Sequence, residues 1–397
     1  MSTRGACFFE QHFLFSNRLV QFVLGLRPNQ NSNDQLFQLC TVIAYVLPII
    51  IHQIFMTDFK LKTTMELRKI VGALAMLSNY SVTYFHFVEV RIIFLSDEDE
   101  LNIMEKYTKQ SKSYVYIVVV SLSLYVISIT FSCILNVILY LFGKLDDNHL
   151  TLPIPVNVSN AGSLYYCLLI YQTIAFYIVL IVGSVCFGVY LVAVQYACCQ
   201  FNIIISKVRK PFKKHMKYMQ KSYHIKTSQE EWNWIVEIIN CYRTVTEYVD
   251  TLNSLTKVTS LITIFFAVIL VVFDFVYIFQ VSIELKNASE IIEYSFYISG
   301  SVFTIYINFY VGQKLLNHSE AVFEELCQVP FYILSTKTQK MLLFVIKRSM
   351  KPSMLLIGGL YISAHQVFAQ LMEKAFSFAM VLLTNKIKTT MCSSLEK

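Results

Sequence analysis

Long apolar stretches separated by shorter polar segments recur along the whole chain. Seven of them are long enough for a helix to cross a hydrocarbon core, because a helix rises about 1.5 Å per residue and the core is roughly 30 Å thick. Their approximate bounds are residues 35–57, 70–95, 113–143, 164–200, 258–282, 291–313 and 353–383. The pattern predicts an all-α membrane protein in which residues 1–397 form a single domain of seven transmembrane helices.

The last stretch differs from the others in the polar side chains that it carries. It follows the basic residues Lys347, Arg348 and Lys351, and it contains no formal charge between Ser353 and Met372. Polar groups at membrane depth usually face protein or water rather than lipid. We therefore expect this helix either to line an interior or a pore, or to be the last helix buried in a bundle. Its polar positions are His365, Gln366, Gln370, Glu373, Lys374 and Ser377.

The composition excludes several classes of protein. Hydrophobic residues make up 55% of the chain and charged residues only 15%, whereas soluble domains carry about 25% charged residues. The net charge of +7 comes from basic residues at the borders of the apolar stretches, so it does not indicate nucleic-acid binding. The ten cysteines show no CxxC spacing, and we expect buried free thiols rather than a metal site or a disulfide framework.

Signatures of catalysis are absent from the sequence, which has no HExxH, no GxSxG, no GxGxxG and no P-loop. We therefore predict that the protein is not an enzyme and requires neither a cofactor nor a metal ion. Asp274 is a lone carboxylate inside the fifth stretch. It is either a functional group, as intramembrane carboxylates often are, or a capped or water-reached carboxylate near the outer end of its helix.

The distribution of basic residues predicts the orientation of the chain in the membrane. If the N-terminus lies inside, 22 of the 33 Lys and Arg residues fall in inner segments, as the positive-inside rule requires. The C-terminus then lies outside, and the segments 201–257 and 314–352 are cytoplasmic. The sequons at Asn157 and Asn287 fall in outer loops under the same assignment. Receptors coupled to G proteins have the opposite orientation, so seven helices in this chain do not indicate such coupling.

The longer cytoplasmic segment also has helical periodicity. Apolar side chains recur among charges at helical spacing, at Trp232, Ile235, Val236, Ile239 and Val245. We expect the fourth and fifth helices to extend into the cytoplasm and to pack together or against neighbouring subunits. Alternatively, the basic run in this segment meets anionic lipid.

Aromatic and sparsely polar side chains occupy the outer halves of the middle stretches. Such walls suit a pocket for a small, mostly apolar ligand, in which a few hydroxyl and amide groups fix the orientation. The alternative for each side chain is packing in the core or in an aromatic belt at the membrane interface. The candidate ligand-binding residues are Tyr80, Tyr84, Phe131, Asn136, Tyr171, Phe176, Tyr277 and Tyr297.

Several segments resemble the insect odorant receptor family, most closely the ligand-tuning receptors of ants and wasps. SNRLVQFVLGLRP near the start resembles the entry segment of that family, and MEKYTKQSK at Met104–Lys112 resembles its Met-x-x-Tyr-Ala run. EIINCYRTVTEY at Glu237–Tyr248 matches the pattern before the fifth span, with Tyr242 where a His is usual. Asn308–Pro352 follows the most specific series, which ends in Arg-Ser-x-Lys-Pro, and AFSFAMVLL at Ala375–Leu383 resembles the Ser-Tyr-Phe signature of the last span.

The resemblance implies a subunit of an odorant-gated, non-selective cation channel. Members of the family form tetramers, in which a tuning subunit combines with a shared co-receptor subunit in the plasma membrane of olfactory sensory neurons. The last span lines the pore, Val381 aligns with the hydrophobic gate, and Asn385 lies one turn further out. The partners implied are a small volatile odorant, the co-receptor and the lipid bilayer. A gustatory-type channel of the same superfamily and, more remotely, a G-protein-coupled chemoreceptor are the alternatives.

Overall fold

The computed structural model describes residues 98–143, 162–212, 228–284 and 288–395, together with residues 44, 48 and 152. The first two predicted spans, 35–57 and 70–95, therefore lie outside the described residues, apart from residues 44 and 48. The described elements are the helices α1 (Glu98–Leu141), α2 (Ser163–Arg209), α3 (Ser228–Glu284) and α4 (Ala288–Cys327), a 3₁₀ turn (Phe331–Ile333), helix α5 (Thr336–Ser349), strands β1 (Leu356–Ile357) and β2 (Tyr361–Ile362), and helix α6 (His365–Leu395).

The first four helices are much longer than a membrane is thick. They contain 44, 47, 57 and 40 residues, which corresponds to about 60–85 Å at 1.5 Å per residue. Each contains one of the predicted spans and continues beyond it. Among the described residues, three segments are long and apolar enough to cross a membrane: Phe187–Arg209, Ser228–Phe279 and His365–Asn385.

Prolines end three of the helices. Pro211 follows α2, Pro330 follows α4 and Pro352 follows α5, and a proline cannot donate the next backbone hydrogen bond of a helix. The chain can therefore reverse direction after α4, and α5 packs back against both α3 and α4.

The main hydrophobic core lies where α1–α5 meet. Many of its residues belong to the parts of the long helices that extend beyond the predicted spans. The helical prediction around Trp232 is confirmed, because α3 includes this segment and buries Ile235 and Val245 completely. These side chains belong to a core to which each of the five helices contributes. Its largest fully buried members are Met104, Leu191, Tyr196, Phe201, Ile204, Ile235 and Ile238.

The predicted seventh span, 353–383, is helical only from His365 onward, so its predicted start is wrong. The residues before His365 include an antiparallel hairpin that pairs Leu356 with Ile362 and Ile357 with Tyr361. Its turn contains Gly358 and Gly359, whose φ angles are +62° and +75°. Residues with a side chain rarely adopt this region, so the glycine pair favours a tight hairpin turn over a helix.

The hairpin is attached to α3 by two polar side chains, Asn253 and Ser260. Asn253 Nδ2 donates a hydrogen bond of 2.8 Å to the Met354 carbonyl, and the Leu356 N–H donates one of 2.9 Å to Asn253 Oδ1. About two turns further along α3, Ser260 Oγ accepts a hydrogen bond of 3.2 Å from the Gly358 N–H. These three bonds satisfy backbone groups on the hairpin strand and its turn.

The other end of the hairpin is attached to α4. Ser363 Oγ donates a hydrogen bond of 3.0 Å to the Asn308 carbonyl, and the His365 N–H donates one of 3.2 Å to Gln313 Oε1. Gly312 lies directly beneath this contact, where a Cβ atom would overlap the backbone oxygen and the side chain of Ser363. The first residue of α6 is therefore fixed against α4, and Gly312 permits this close approach.

We expect Gly312→Ala to destabilise the full-length protein. The added methyl group must displace Ser363 and break its bond to Asn308, and overpacking of this kind typically costs about 1–3 kcal/mol. The measurement is the thermal unfolding midpoint in detergent, with Ser299→Ala on the exposed side of the same helix as the control. Equal midpoints for the two variants would contradict the close contact between α4 and the hairpin.

Candidate functional site

Helix α6 contacts the rest of its own chain along one narrow stripe. Ala375, Ala379 and Leu383 are buried, and they follow one another at intervals of four residues on one face. Ala375 and Ala379 pack against α3 and α4, together with Ile357 of the hairpin and the half-buried α6 residues Val367, Phe368, Leu371 and Met372. Most of the remaining surface of α6 is exposed, so this helix is not the last helix of a closed bundle within one chain. Its exposed apolar side chains are Phe376, Phe378, Met380, Val381 and Leu382.

The two residues predicted for the pore lie on this exposed surface. Val381 is 55% exposed and Asn385 is also exposed. Val381 is two residues from both Ala379 and Leu383, which places it about 200° around the helix from each of them. Asn385 follows it by four residues and shares its face. The predicted gate position therefore points away from the packed stripe.

A cavity of about 670 Å³ lies between α3, α4, the hairpin and α6. Its wall is almost wholly aliphatic and aromatic, and the exceptions are Gln370 and Lys374 on α6 and the Tyr361 hydroxyl on the hairpin. The fifteen lining residues are Ile264, Val268, Ile269, Val272, Phe273, Phe309, Ile357, Tyr361, Val367, Gln370, Leu371, Lys374, Ala375, Phe378 and Leu382.

None of the predicted ligand-binding residues whose side chains the structure describes lines this cavity. Phe131 on α1 is 61% exposed. Asn136 on α1, Tyr171 and Phe176 on α2 and Tyr277 on α3 are half-buried. Tyr297 lies on α4, but its side chain is outside the described part of the structure, as are Tyr80 and Tyr84 altogether. The predicted odorant pocket stays a prediction.

Asp274 joins two helices inside a predicted span. The residue is buried, and Ser301 Oγ on α4 donates a hydrogen bond of 2.9 Å to its Oδ2. A hydrogen bond to a buried carboxylate offsets part of the cost of removing it from water. The structure therefore favours the interpretation of Asp274 as a capped carboxylate within the α3–α4 interface, out of reach of water.

A polar cluster lies at the junction of α1, α2 and α4, centred on Lys314. The Lys314 ammonium donates hydrogen bonds of 3.1 Å to Gln110 Oε1 on α1 and 3.0 Å to Gln195 Oε1 on α2. It also lies 5.5 Å and 5.1 Å from the ring centroids of Tyr107 and Tyr114, within the range of cation–π attraction. One half-buried cation thus connects three helices through neutral partners.

His318 extends the cluster by one helical turn. Its Nδ1 lies 2.7 Å from the Lys314 carbonyl, which can only accept a hydrogen bond, so Nδ1 carries the proton. Nε2 therefore accepts the hydrogen bond of 2.6 Å from the Tyr107 hydroxyl in the neutral ring. Asn202 Nδ2 donates to the same hydroxyl at 3.2 Å. The neutral form of His318 satisfies every one of these contacts.

Burial changes the acid–base properties of this cluster. Desolvation lowers the pKa of Lys314 and that of His318, and the nearby Lys314 charge lowers the pKa of His318 further. Desolvation also raises the pKa of the Tyr107 hydroxyl. His318 is therefore held in its neutral form at neutral pH.

The role of Lys314 was not predicted from the sequence, in which the residue was only one of the basic residues of the inner segment 314–352. The signal that could have revealed it is the spacing of Tyr310, Lys314 and His318, which follow one another by four residues on one helical face. A lysine flanked by two aromatic residues on one face is typical of a packed position rather than of a solvated loop.

The family model of the 7tm odorant receptors matches residues 79–376. The chain belongs to the odorant receptor family. The resemblance to insect odorant receptors drawn from its motifs is confirmed, whereas the closer likeness to ant and wasp receptors stays a prediction. No curated protein matches the chain.

Two solved structures of an insect olfactory receptor share this fold. They are the insect olfactory receptor OR5 from Machilis hrabei in complex with eugenol, with a TM-score of 0.67, and another structure of the same receptor, with a TM-score of 0.64. Each match covers 94% of this odorant receptor and 98% of the other chain, at 10% sequence identity. Family membership and the three long apolar helices make the chain an α-helical membrane protein.

We expect His318 to make the stability of this receptor sensitive to acid. Its pKa in the folded chain lies below the ordinary value of 6.5, so its contribution is present above that pH and is lost as the pH falls through the folded pKa. Protonation puts a second cation beside Lys314 and removes the acceptor of the Tyr107 hydroxyl.

The measurement is the thermal unfolding midpoint of the full-length receptor between about pH 7.5 and about pH 5. His318→Gln, which keeps a neutral polar side chain, should reduce the loss of stability at low pH. His365→Gln at an exposed position is the matched control and should leave the pH profile unchanged. Parallel profiles for the original receptor and His318→Gln would contradict this role.

Proposed function

We propose that this odorant receptor is the ligand-tuning subunit of an odorant-gated, non-selective cation channel. It assembles as a tetramer with a shared co-receptor subunit in the plasma membrane of olfactory sensory neurons. Its N-terminus lies in the cytoplasm and its C-terminus outside, as the distribution of basic residues requires. The ligand is a small volatile organic molecule.

The observation that supports this proposal best is the exposed face of α6. Five large apolar side chains between Phe376 and Leu382 are exposed on this helix, next to exposed polar residues such as Ser377 and Asn385. A large apolar surface with polar groups among it is typical of an interface or a pore rather than of a lipid-facing helix. Copies arranged around an axis would cover the apolar positions and turn one face of each α6 towards a central lumen.

In the proposed channel, Val381 forms the gate. A ring of valine side chains creates a hydrophobic constriction that excludes water when it is narrow and conducts ions after a small dilation. Val381 lies opposite the stripe that attaches α6 to its own chain, as a residue facing a central axis must. The Asn385 side chains of the subunits then form a ring of amide groups one turn further out.

The proposed odorant pocket lies in the outer halves of the middle helices. Its wall comprises Tyr80, Tyr84, Phe131, Asn136, Tyr171, Phe176, Tyr277 and Tyr297. Apolar contact supplies most of the affinity and one or two hydrogen bonds fix the orientation. The receptor from Machilis hrabei was solved with eugenol, a small aromatic molecule, and a ligand of that class suits such a wall.

Ligand binding opens the channel only through a difference in affinity between the closed and the open state. The hairpin offers a route for this coupling, because it attaches the start of α6 to Asn253 and Ser260 on α3 and to Asn308 and Gln313 on α4. A movement of α3 or α4 on odorant binding therefore moves the base of the pore helix as well.

The experiment that tests the proposed function is whole-cell recording in a heterologous cell. The receptor is expressed with and without the co-receptor, exposed to an odorant panel, and tested under blockade of G proteins. We expect a fast cation current that needs both subunits and survives the blockade. Loss of the current under blockade would favour a G-protein-coupled chemoreceptor, and responses to soluble tastants alone would favour the gustatory-type alternative.

Replacing the gate residue should leave the channel partly open without odorant. We expect Val381→Ala to raise the ligand-free current several-fold, because the smaller side chain widens and wets the constriction. Val381→Ile keeps a large apolar side chain and should remain closed. Unchanged closed-state current in Val381→Ala, at normal surface expression, would remove Val381 from the gate.

A further inference from the structure

The cavity beside α6 is separate from the proposed odorant pocket, and its shape differs from that of a site for a small volatile molecule. Its α6 wall extends from Val367 to Leu382, a distance of about 22 Å along the helix at 1.5 Å per residue. The opposite wall follows α3 from Ile264 to Phe273. The space is an elongated groove between α3 and α6, which suits an extended alkyl chain.

Polar groups occur at only one region of this groove. Gln370, Lys374 and the Tyr361 hydroxyl all lie in the half of the lining nearer the hairpin, and helical side chains lean towards the N-terminus of their helix, which is the hairpin end of α6. The lining residues of α6 beyond Lys374 are Ala375, Phe378 and Leu382, over about 12 Å of helix. The groove therefore has a polar half near the hairpin and an apolar half towards the middle of α6.

Lys374 is a cation without an anionic partner in the part of the chain that the structure describes. It lies within a segment apolar enough to cross a membrane, and its ammonium forms no ion pair there with any described carboxylate, including the adjacent Glu373. A charge at such a position is costly unless it is paired, and it generally marks a binding site or a pathway. The group that complements the charge of Lys374 is an anion.

We propose that this groove binds a single-chain amphiphile with a carboxylate head group, a long-chain fatty acid. The carboxylate pairs with the Lys374 ammonium and accepts hydrogen bonds from the Gln370 amide and the Tyr361 hydroxyl. The alkyl chain extends between α3 and α6 towards Leu382. A single cation in an otherwise uncharged lining matches the single negative charge of a fatty acid carboxylate.

An occupant of this groove would contact both sides of the junction that moves when the channel opens. Ile357 and Tyr361 belong to the hairpin, and Phe378 and Leu382 flank the proposed gate residue Val381 on the same helix. A fatty acid bound there restrains α6 relative to α3 and regulates the receptor from a second site.

Binding is tested directly, without any requirement for channel activity. Membranes containing the full-length chain are photolabelled with a palmitate analogue that carries a diazirine and an alkyne, and the labelled peptides are identified by mass spectrometry. We expect label in peptides from 264–273 and 367–382. Palmitate should compete about tenfold more strongly than hexadecanol, which has the same chain without a charge, because a hydrogen-bonded charge pair contributes about 1.5–3 kcal/mol.

Two pairs of variants test the assignment of the head group and of the chain. Lys374→Gln should abolish the tenfold preference for palmitate, whereas Glu373→Gln, which changes the neighbouring charge outside the groove, should retain it. Val268→Phe should exclude the alkyl chain from the groove and remove the label. Phe265→Trp, at an exposed position of α3, should retain the label.

Several outcomes would overturn the proposal. Equal competition by palmitate and hexadecanol in the original chain would exclude recognition of a carboxylate. Competition by phosphatidylserine vesicles as strong as that by palmitate would assign the groove to phospholipid instead. Label that persists in a well-expressed Val268→Phe variant would place the ligand elsewhere. None of these results bears on whether the receptor conducts ions in response to odorant, so the two proposals fail separately.

Discussion

The pairing of the Asn253 amide with the backbone of residues 354–356 is the constraint on which the rest of the molecule depends. A short hairpin has too few hydrogen bonds of its own to stay folded, since an isolated pair of strands is marginal in water. The bonds from Asn253 and Ser260 on one side, and from Ser363 and Gln313 on the other, hold it between α3 and α4. The position of α6 follows from that attachment.

With its base fixed in this way, α6 needs little further contact with its own chain. The stripe of Ala375 and Ala379 lets the helix approach α3 and α4 closely, while the opposite face carries Val381 into open space. The same arrangement leaves the groove between α3 and α6, because small residues cannot fill the volume on either side of the stripe. The exposed face and the cavity are two results of one way of packing.

The amino-acid pattern predicted the parts of the fold that depend on local sequence. Apolar runs located one part of each long helix but not its full extent, and the motifs in 308–352 identified the family. The hairpin was missed because the charge-free run after Ser353 was taken as one helix, although the Gly358-Gly359 pair is a common turn signal. The surroundings of Lys314 were beyond sequence reasoning, since Gln110 and Gln195 come to it from distant helices. The groove could not be predicted either, because its lining combines residues from α3, α4, the hairpin and α6.

The narrow attachment of α6 also bears on how such a receptor diverges. Within one chain, selection for folding acts on one face of α6, namely Ala375, Ala379 and Leu383 together with Val367, Phe368, Leu371 and Met372. Substitutions at the remaining positions are constrained by whatever surrounds the helix outside its own chain. This helix can therefore change its sequence in step with a partner while the fold persists, which is one physical reason why a common architecture survives at 10% identity.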